Sequence, residues 1–85
     1  MTFAEVTALL RSCGHHNVSF RVRHARKEAQ EANASINDVI EALQCHRLLE
    51  QQANERWKAV GPDLEGEELT VVFVIEADVV VITVY

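Results

Sequence analysis

The chain has 85 residues, of which 48% are apolar and 25% are charged, and its formal net charge is −5 at pH 7. This length allows a single small domain over residues 1–85, and the apolar share excludes a disordered chain. The acidic balance excludes a uniformly basic nucleic-acid-binding domain, so any anion site must be local. No apolar run approaches the roughly 18 residues of a membrane span. The N-terminal stretch MTFAEVTALLRS also lacks the basic start of a signal peptide, so we expect a cytoplasmic protein with no membrane partner.

The first part of the chain predicts a capped helix and then an extended segment. Thr2 followed by Glu5 is typical of a capping box, and apolar residues recur behind it at helical spacing as far as Gly14. Residues 18–22 alternate between apolar and polar side chains, which predicts a short strand or an extended arm.

Two helices are predicted next. The first begins at His24 and carries a stripe of small residues: Ala25, Ala29 and Ala32. The second begins after Ser35, which forms a capping box with Asp38, and it runs to Leu43. These elements give the predicted fold its helical layer.

The rest of the chain predicts strands. Short strands are expected at Leu48-Leu49 and over residues 56–60, and residues 61–66 are expected to form a turn or an exposed loop. The β-branched runs 69–75 and 79–84 predict an antiparallel hairpin whose two strands are buried on both faces. The predicted fold class is therefore α+β, with N-terminal helices packed on a three- to four-stranded antiparallel sheet.

The two cysteines, Cys13 and Cys45, are too few for a disulfide scaffold, and we expect both to be small buried apolar residues. Zinc prefers thiolate sulfur and imidazole nitrogen as ligands, and these occur in two pairs, Cys13 with His16 and Cys45 with His46. Adjacent residues such as Cys45 and His46 usually point in different directions, however, so no metal and no cofactor are expected.

Several stretches of the chain are similar to the bacterial domain of unknown function 4258 family, small proteins grouped with RelE-like toxins. The similarity covers residues 18–85, and its motifs are His24-Ala25, the capped helix of residues 35–43, Arg56-Trp57 through Gly61, and the terminal ITVY of residues 82–85. The sequence departs from the family pattern at three positions: Asn33, Pro62 and Thr70.

The resemblance implies a RelE-like fold and a metal-independent RNA-cleaving or RNA-binding activity. Such cleavage needs a group that titrates near neutral pH, fixed cations and a phenol. The candidate catalytic residues are therefore His24, Arg56 and Tyr85, and the candidate RNA-binding residues are Arg21, Arg23 and Trp57. RNA or another polyanion and a cognate antitoxin are the implied partners.

Each of these assignments has a structural alternative that the sequence leaves open. His24 could orient the junction between the extended arm and the helix, Trp57 could be a core anchor, and Tyr85 could be an edge aromatic residue. The alternative for the whole protein is a non-enzymatic interaction module that has lost nuclease residues. Such a module would associate through its Val-rich strands or its acidic C-terminal half.

Overall fold

A computed structural model describes residues 1–20, Lys27 and residues 34–85 of the chain. The helix predicted from His24 lies outside these residues, except for Lys27, which is helical and exposed. The described elements are, in chain order, α1 (Phe3–Arg11), β1 (Val18–Phe20), α2 (Ile36–Gln44), β2 (Leu48–Gln51), β3 (Trp57–Pro62), β4 (Glu68–Glu76) and β5 (Asp78–Val84).

Both capping boxes predicted from the sequence are confirmed. The Thr2 hydroxyl accepts the backbone N–H of Glu5, and the Glu5 carboxylate accepts the backbone N–H of Thr2. Ser35 and Asp38 form the same reciprocal pair at the start of α2. Each box satisfies two backbone donors that a helix start otherwise leaves without a partner. Neither described helix is long and apolar enough to cross a membrane.

The described strands form one sheet in the order β1-β5-β4-β3-β2. Strands β2 to β5 are antiparallel neighbours, but β1 runs parallel to β5, with Val18 opposite Val79 and Phe20 opposite Val81. The predicted sheet is therefore wrong in two respects, since it has five strands rather than three or four and is mixed rather than antiparallel. The alternating pattern of residues 18–22 indicates a strand, but it does not indicate which strand it pairs with.

The predicted loop over residues 61–66 is also wrong at its start, because β3 continues through Gly61 and Pro62. A Cβ atom on Gly61 would lie 2.3 Å from the carbonyl oxygen of Ala42 and 2.9 Å from the Cα of His46. Glycine is needed here because the backbone of α2 approaches the strand, not because the chain turns.

The two helices pack on the same side of the sheet, which we call the helix face. It contains Trp57, Ala59, Val71, Phe73, Val79 and Val81, and these side chains share one core cluster with Val6 and Leu10 of α1 and with Val39 and Leu43 of α2. Alternation along the strands sends Lys58, Val60, Val72, Val74 and Val80 to the opposite side, which we call the outer face. No described helix lies on the outer face.

Candidate functional site

The predicted residues Arg56 and Trp57 lie where the β2–β3 connection enters β3. Arg56 is exposed, but Trp57 is only 5% exposed and belongs to the core cluster. The ring of Phe3 meets the indole edge-to-face, with 5.1 Å between ring centroids. A base would need an open indole face for stacking, so this geometry fits the core-anchor interpretation of Trp57.

Tyr85 lies at the other end of the central strands. Its backbone exchanges two hydrogen bonds with Thr70, and its side chain is 62% exposed. The residue borders a cleft of about 340 Å³ whose other lining residues are Asp38, Asp63, Glu65, Glu67, Glu68 and Leu69. Five carboxylates around one phenol repel a phosphate, so the described surroundings of Tyr85 are unsuited to RNA cleavage.

The strand register keeps Arg56 apart from Tyr85. Trp57 stands opposite Phe73 of β4, whereas Tyr85 stands opposite Thr70, three residues further along the same strand. At a rise of about 3.3 Å per residue, this offset is about 10 Å. The two residues also lie on opposite sides of β4, so their backbones are about 9.6 Å apart across the sheet. The structure therefore does not bring these two candidate catalytic residues together.

The other candidates, Arg21, Arg23 and His24, lie outside the described residues. The described residues that flank them along the chain are Phe20, the last residue of β1, and Lys27. Three strand spacings, or about 14 Å, separate β1 from β3, which follows Arg56. A bound nucleic acid strand would have to span this distance to contact Arg56 and the end of β1 together.

The acidic cleft beside Tyr85 was missed by the sequence analysis because its residues come from separate elements. Asp38 of α2 accepts the backbone N–H groups of Ser35, at 2.8 Å, and of Leu64, at 3.0 Å. These two hydrogen bonds hold the pKa of Asp38 below its usual value. The Asp63 carboxylate accepts the N–H groups of Glu65 and Glu67, both at 2.9 Å, so it closes the neighbouring turn. These bonds give Asp38 and Asp63 structural roles.

The thiol and imidazole groups weighed as zinc ligands are not gathered into a site. Cys13 and His46 are buried, whereas His16 and Cys45 are exposed, so the expectation that both cysteines are buried is wrong for Cys45. Among the described residues, no group of three or more His, Cys, Asp or Glu side chains is placed to hold a metal ion. The pKa of Cys45 is raised by its hydrogen bond to Glu41, and burial raises the pKa of Cys13. Both shifts disfavour the thiolate.

Arg11 is a second residue whose role the sequence did not reveal. Its guanidinium donates to the carbonyl oxygens of Gln44 and His46, where α2 ends. Cations stabilise this end of a helix, because the last carbonyl groups have no partner within the helix. This cation is therefore used to join α1 to α2, and it is not available for an anion.

A family model described as "Domain of unknown function (DUF4258)" matches residues 22–85. The chain belongs to this family. No curated protein and no solved structure matches the chain. The DUF4258 match contains α2 and strands β2 to β5, whereas α1 and β1 precede it. Val6 and Leu10 of α1 are nevertheless fully buried, so this N-terminal part completes the core of the DUF4258 domain.

Charge distinguishes the segment before α2, residues 21–33, from the residues that follow it. Residues 21–33 contain four basic and two acidic side chains, whereas residues 34–85 contain three basic and ten acidic ones. Outside the segment, an anion would meet mostly repulsion. If this chain binds a polyanion, residues 21–33 are the part whose charge suits it.

Proposed function

We propose that this DUF4258 protein is a bacterial, cytoplasmic, RelE-like protein that binds RNA through Arg21, Arg23 and His24. The charge contrast between residues 21–33 and residues 34–85 supports the proposal. Arginine suits phosphate because its guanidinium donates two parallel hydrogen bonds to the phosphate oxygens. Arg56 is left out of this set because three strand spacings separate β3 from β1.

The reaction that we attach to this binding site is a metal-independent cleavage. The 2′-hydroxyl of the RNA loses its proton and attacks the adjacent phosphorus, and the bond from phosphorus to the 5′-oxygen breaks as that oxygen gains a proton. His24 is the group in the segment whose pKa range suits both proton transfers, and the arginines would neutralise the charge that develops on the phosphate. Tyr85 and Trp57 are omitted from this step because of their surroundings.

The test is RNA binding and cleavage at several salt concentrations, with a fluorescein-labelled single-stranded RNA as the probe. The two arginine–phosphate contacts predict a slope of log K against log salt near −1.4, since each contact contributes about −0.7. Alanine at Arg21, Arg23 and His24 should remove this slope. Arg47→Ala, at an exposed arginine outside the segment, is the control and should leave the slope unchanged. Binding that survives the triple substitution would reject the proposal.

A second candidate function is a protein-interaction module, and the accessible apolar residues of the outer face favour it. Leu48 is 43% exposed, and Val60 and Val80 on the same face are partly exposed. Val72 and Val74 lie between them on β4 but are only 7% and 8% exposed, so they are not available to a partner. Size-exclusion chromatography with light scattering tests this function, first on the protein alone and then with a co-expressed candidate antitoxin. A strict monomer with ribonuclease activity would exclude the module.

A further inference from the structure

A cavity of about 300 Å³ opens on the helix face where α1 begins, beside the β2–β3 connection and the end of β4. We call it the Trp57 cavity, and its described lining residues are Met1, Gln51, Glu55, Trp57 and Ile75. None of these residues lines the acidic cleft. The volume is at the lower end of the range of small-molecule sites, so the cavity suits a small ligand.

Three of the described lining side chains are apolar. Trp57 belongs to the core cluster and Ile75 packs against it, so these two side chains form a fixed floor. Met1 is 63% exposed and forms the outer wall. These walls favour an alkyl chain, because each methylene group that enters the cavity is removed from water.

Two polar side chains complete the lining. Within the described part of the chain, no hydrogen bond or ion pair engages the Glu55 carboxylate or the Gln51 side-chain amide, so both are open to a ligand. The pKa of Glu5 is lowered mainly by its hydrogen bond with Thr2 and also by the amino group of Met1, so this positive charge already faces another carboxylate. Glu55 therefore makes the cavity negative.

Glu55 has a backbone conformation that a residue with a side chain disfavours. Asn54 and Glu55 have φ values of 60° and 62°, and the N–H of Arg56 donates to the carbonyl oxygen of Ala53. This is the pattern of a type I′ turn, in which glycine is usual at the second central position. A glutamate there adds strain that glycine would avoid, and strain of this kind is typical of residues that bind or react.

We propose that the Trp57 cavity binds a primary ammonium group on a short alkyl chain, with the nitrogen at Glu55 and the chain against Trp57 and Ile75. An ammonium group has three N–H donors, which the Glu55 carboxylate and the Gln51 side-chain carbonyl accept. Glu55 would repel an anion, and a neutral alcohol would lack the charge-assisted hydrogen bond. The inference uses neither residues 21–33 nor the outer face, so it goes beyond both candidate functions.

The test uses hexylamine as the probe and the NMR signal of the indole N–H as the readout, since Trp57 is the single tryptophan. We expect a saturable shift of this signal with hexylamine. Hexanol, hexanoate and methylamine should each bind at least about tenfold more weakly, because each lacks either the positive charge or the alkyl chain. An unmoved indole signal, or equal affinity for hexylamine and any of these three compounds, would overturn the inference.

A charge substitution and its matched control locate the binding on the protein. Glu55→Gln keeps the size of the side chain and removes its charge, so hexylamine should bind about tenfold more weakly, which corresponds to about 1.4 kcal/mol. Glu65→Gln removes the same charge in the exposed loop beside the acidic cleft and should change binding by less than about twofold. An equal loss in the two variants would overturn the inference, since it would show general charge attraction.

The backbone strain provides an independent test. Glu55→Gly should raise the melting temperature, because glycine adopts a positive φ without strain, and yet it should abolish hexylamine binding. Ala77, with a φ of 68° between β4 and β5, is the matched position, and Ala77→Gly should also raise the melting temperature but keep hexylamine binding. Wild-type affinity in Glu55→Gly, or the same loss in Ala77→Gly, would overturn the inference.

A lysine residue blocked at both ends distinguishes two sources of the same ammonium group. Tighter binding of blocked lysine than of hexylamine would support the inference and assign the cavity to a lysine side chain of a partner protein. Weaker but measurable binding of blocked lysine would support it and assign the cavity to a free alkylamine.

Discussion

The two faces of the sheet use similar side chains in different ways. On the helix face, Phe73 and Val71 are fully buried beneath α1 and α2. On the outer face, Val72 and Val74 of the same strand are also nearly buried, at 7% and 8% exposure, but they lie outside that cluster and next to the Lys58–Glu50 ion pair. The comparison shows that burial of a β4 side chain does not by itself indicate that α1 or α2 covers it.

The largest expected effect is a loss of unfolding free energy on substitution of Phe73, and it is compared with substitution of the adjacent residue of β4, Val74. Phe73→Ala removes a fully buried ring from the helix face and should cost about 3–5 kcal/mol of unfolding free energy. Val74→Ala on the outer face removes two methyl groups from a side chain that is 8% exposed and should cost about 1.6 kcal/mol. Urea unfolding followed by circular dichroism measures both. A loss for Val74→Ala as large as that for Phe73→Ala would contradict this ranking.

A smaller effect is expected from adding one methyl group on the helix face. Gly61→Ala places its Cβ against the backbone of α2, and such overpacking should cost about 3 kcal/mol. Gly66→Ala is the matched control, because no atom lies within 4 Å of its added Cβ, although its φ of 84° adds strain of about 1 kcal/mol. Thermal unfolding should rank the two variants in this order, and the reverse order would contradict the close approach of α2.

The free energy of unfolding should decrease at low pH through Asp38, at the start of α2. Because the folded state lowers the pKa of Asp38, its contribution to stability is present above the unfolded value of about 3.9 and is lost as pH falls through the folded value. Asp38→Asn should therefore flatten the decline of unfolding free energy below about pH 4. Urea titrations at a series of pH values measure this decline, and parallel curves for variant and wild type would exclude the effect.

The smallest expected effect lies at the end of the helix face, where Phe3 covers Trp57. Phe3→Ala removes an edge-to-face contact and should cost about 1 kcal/mol, since Phe3 itself is half exposed. The fluorescence of the single tryptophan should shift to longer wavelength because water reaches the indole. Phe3→Leu is the control that keeps an apolar cover and should shift less. An unchanged spectrum in Phe3→Ala would mean that other side chains shield Trp57.

Local features of this fold were predictable from the sequence. Thr2 with Glu5 and Ser35 with Asp38 act within four residues of each other, so both helix starts were found. The hairpin of β4 and β5 was also found, because its turn is short and both strands are β-branched. The end of β3 was missed, since the reason for Gly61 is its contact with α2, which is distant in sequence.

In the candidate site, too, the contacts between residues distant in sequence were not predicted. Residue types suggested that Arg56 and Tyr85 act together, but their separation depends on the register of β3 and β5 against β4. The acidic cleft, likewise, joins Asp38 of α2 to the loop after β3 through the backbone of Leu64. Composition and spacing do not encode these long-range pairings. The roles of Arg21, Arg23 and His24 remain a prediction, because these residues lie outside the described part of the chain.

The parallel pairing of β1 with β5 also constrains the order in which the chain folds. Strand β1 precedes most of the described elements, yet its partner β5 follows all of them. Pairing across such a sequence distance closes a long loop and is slow, whereas the successive hairpins of β2 to β5 form through local contacts. Pairing of β1 with β5 is therefore expected to follow formation of the β2–β5 hairpins, as a late kinetic event.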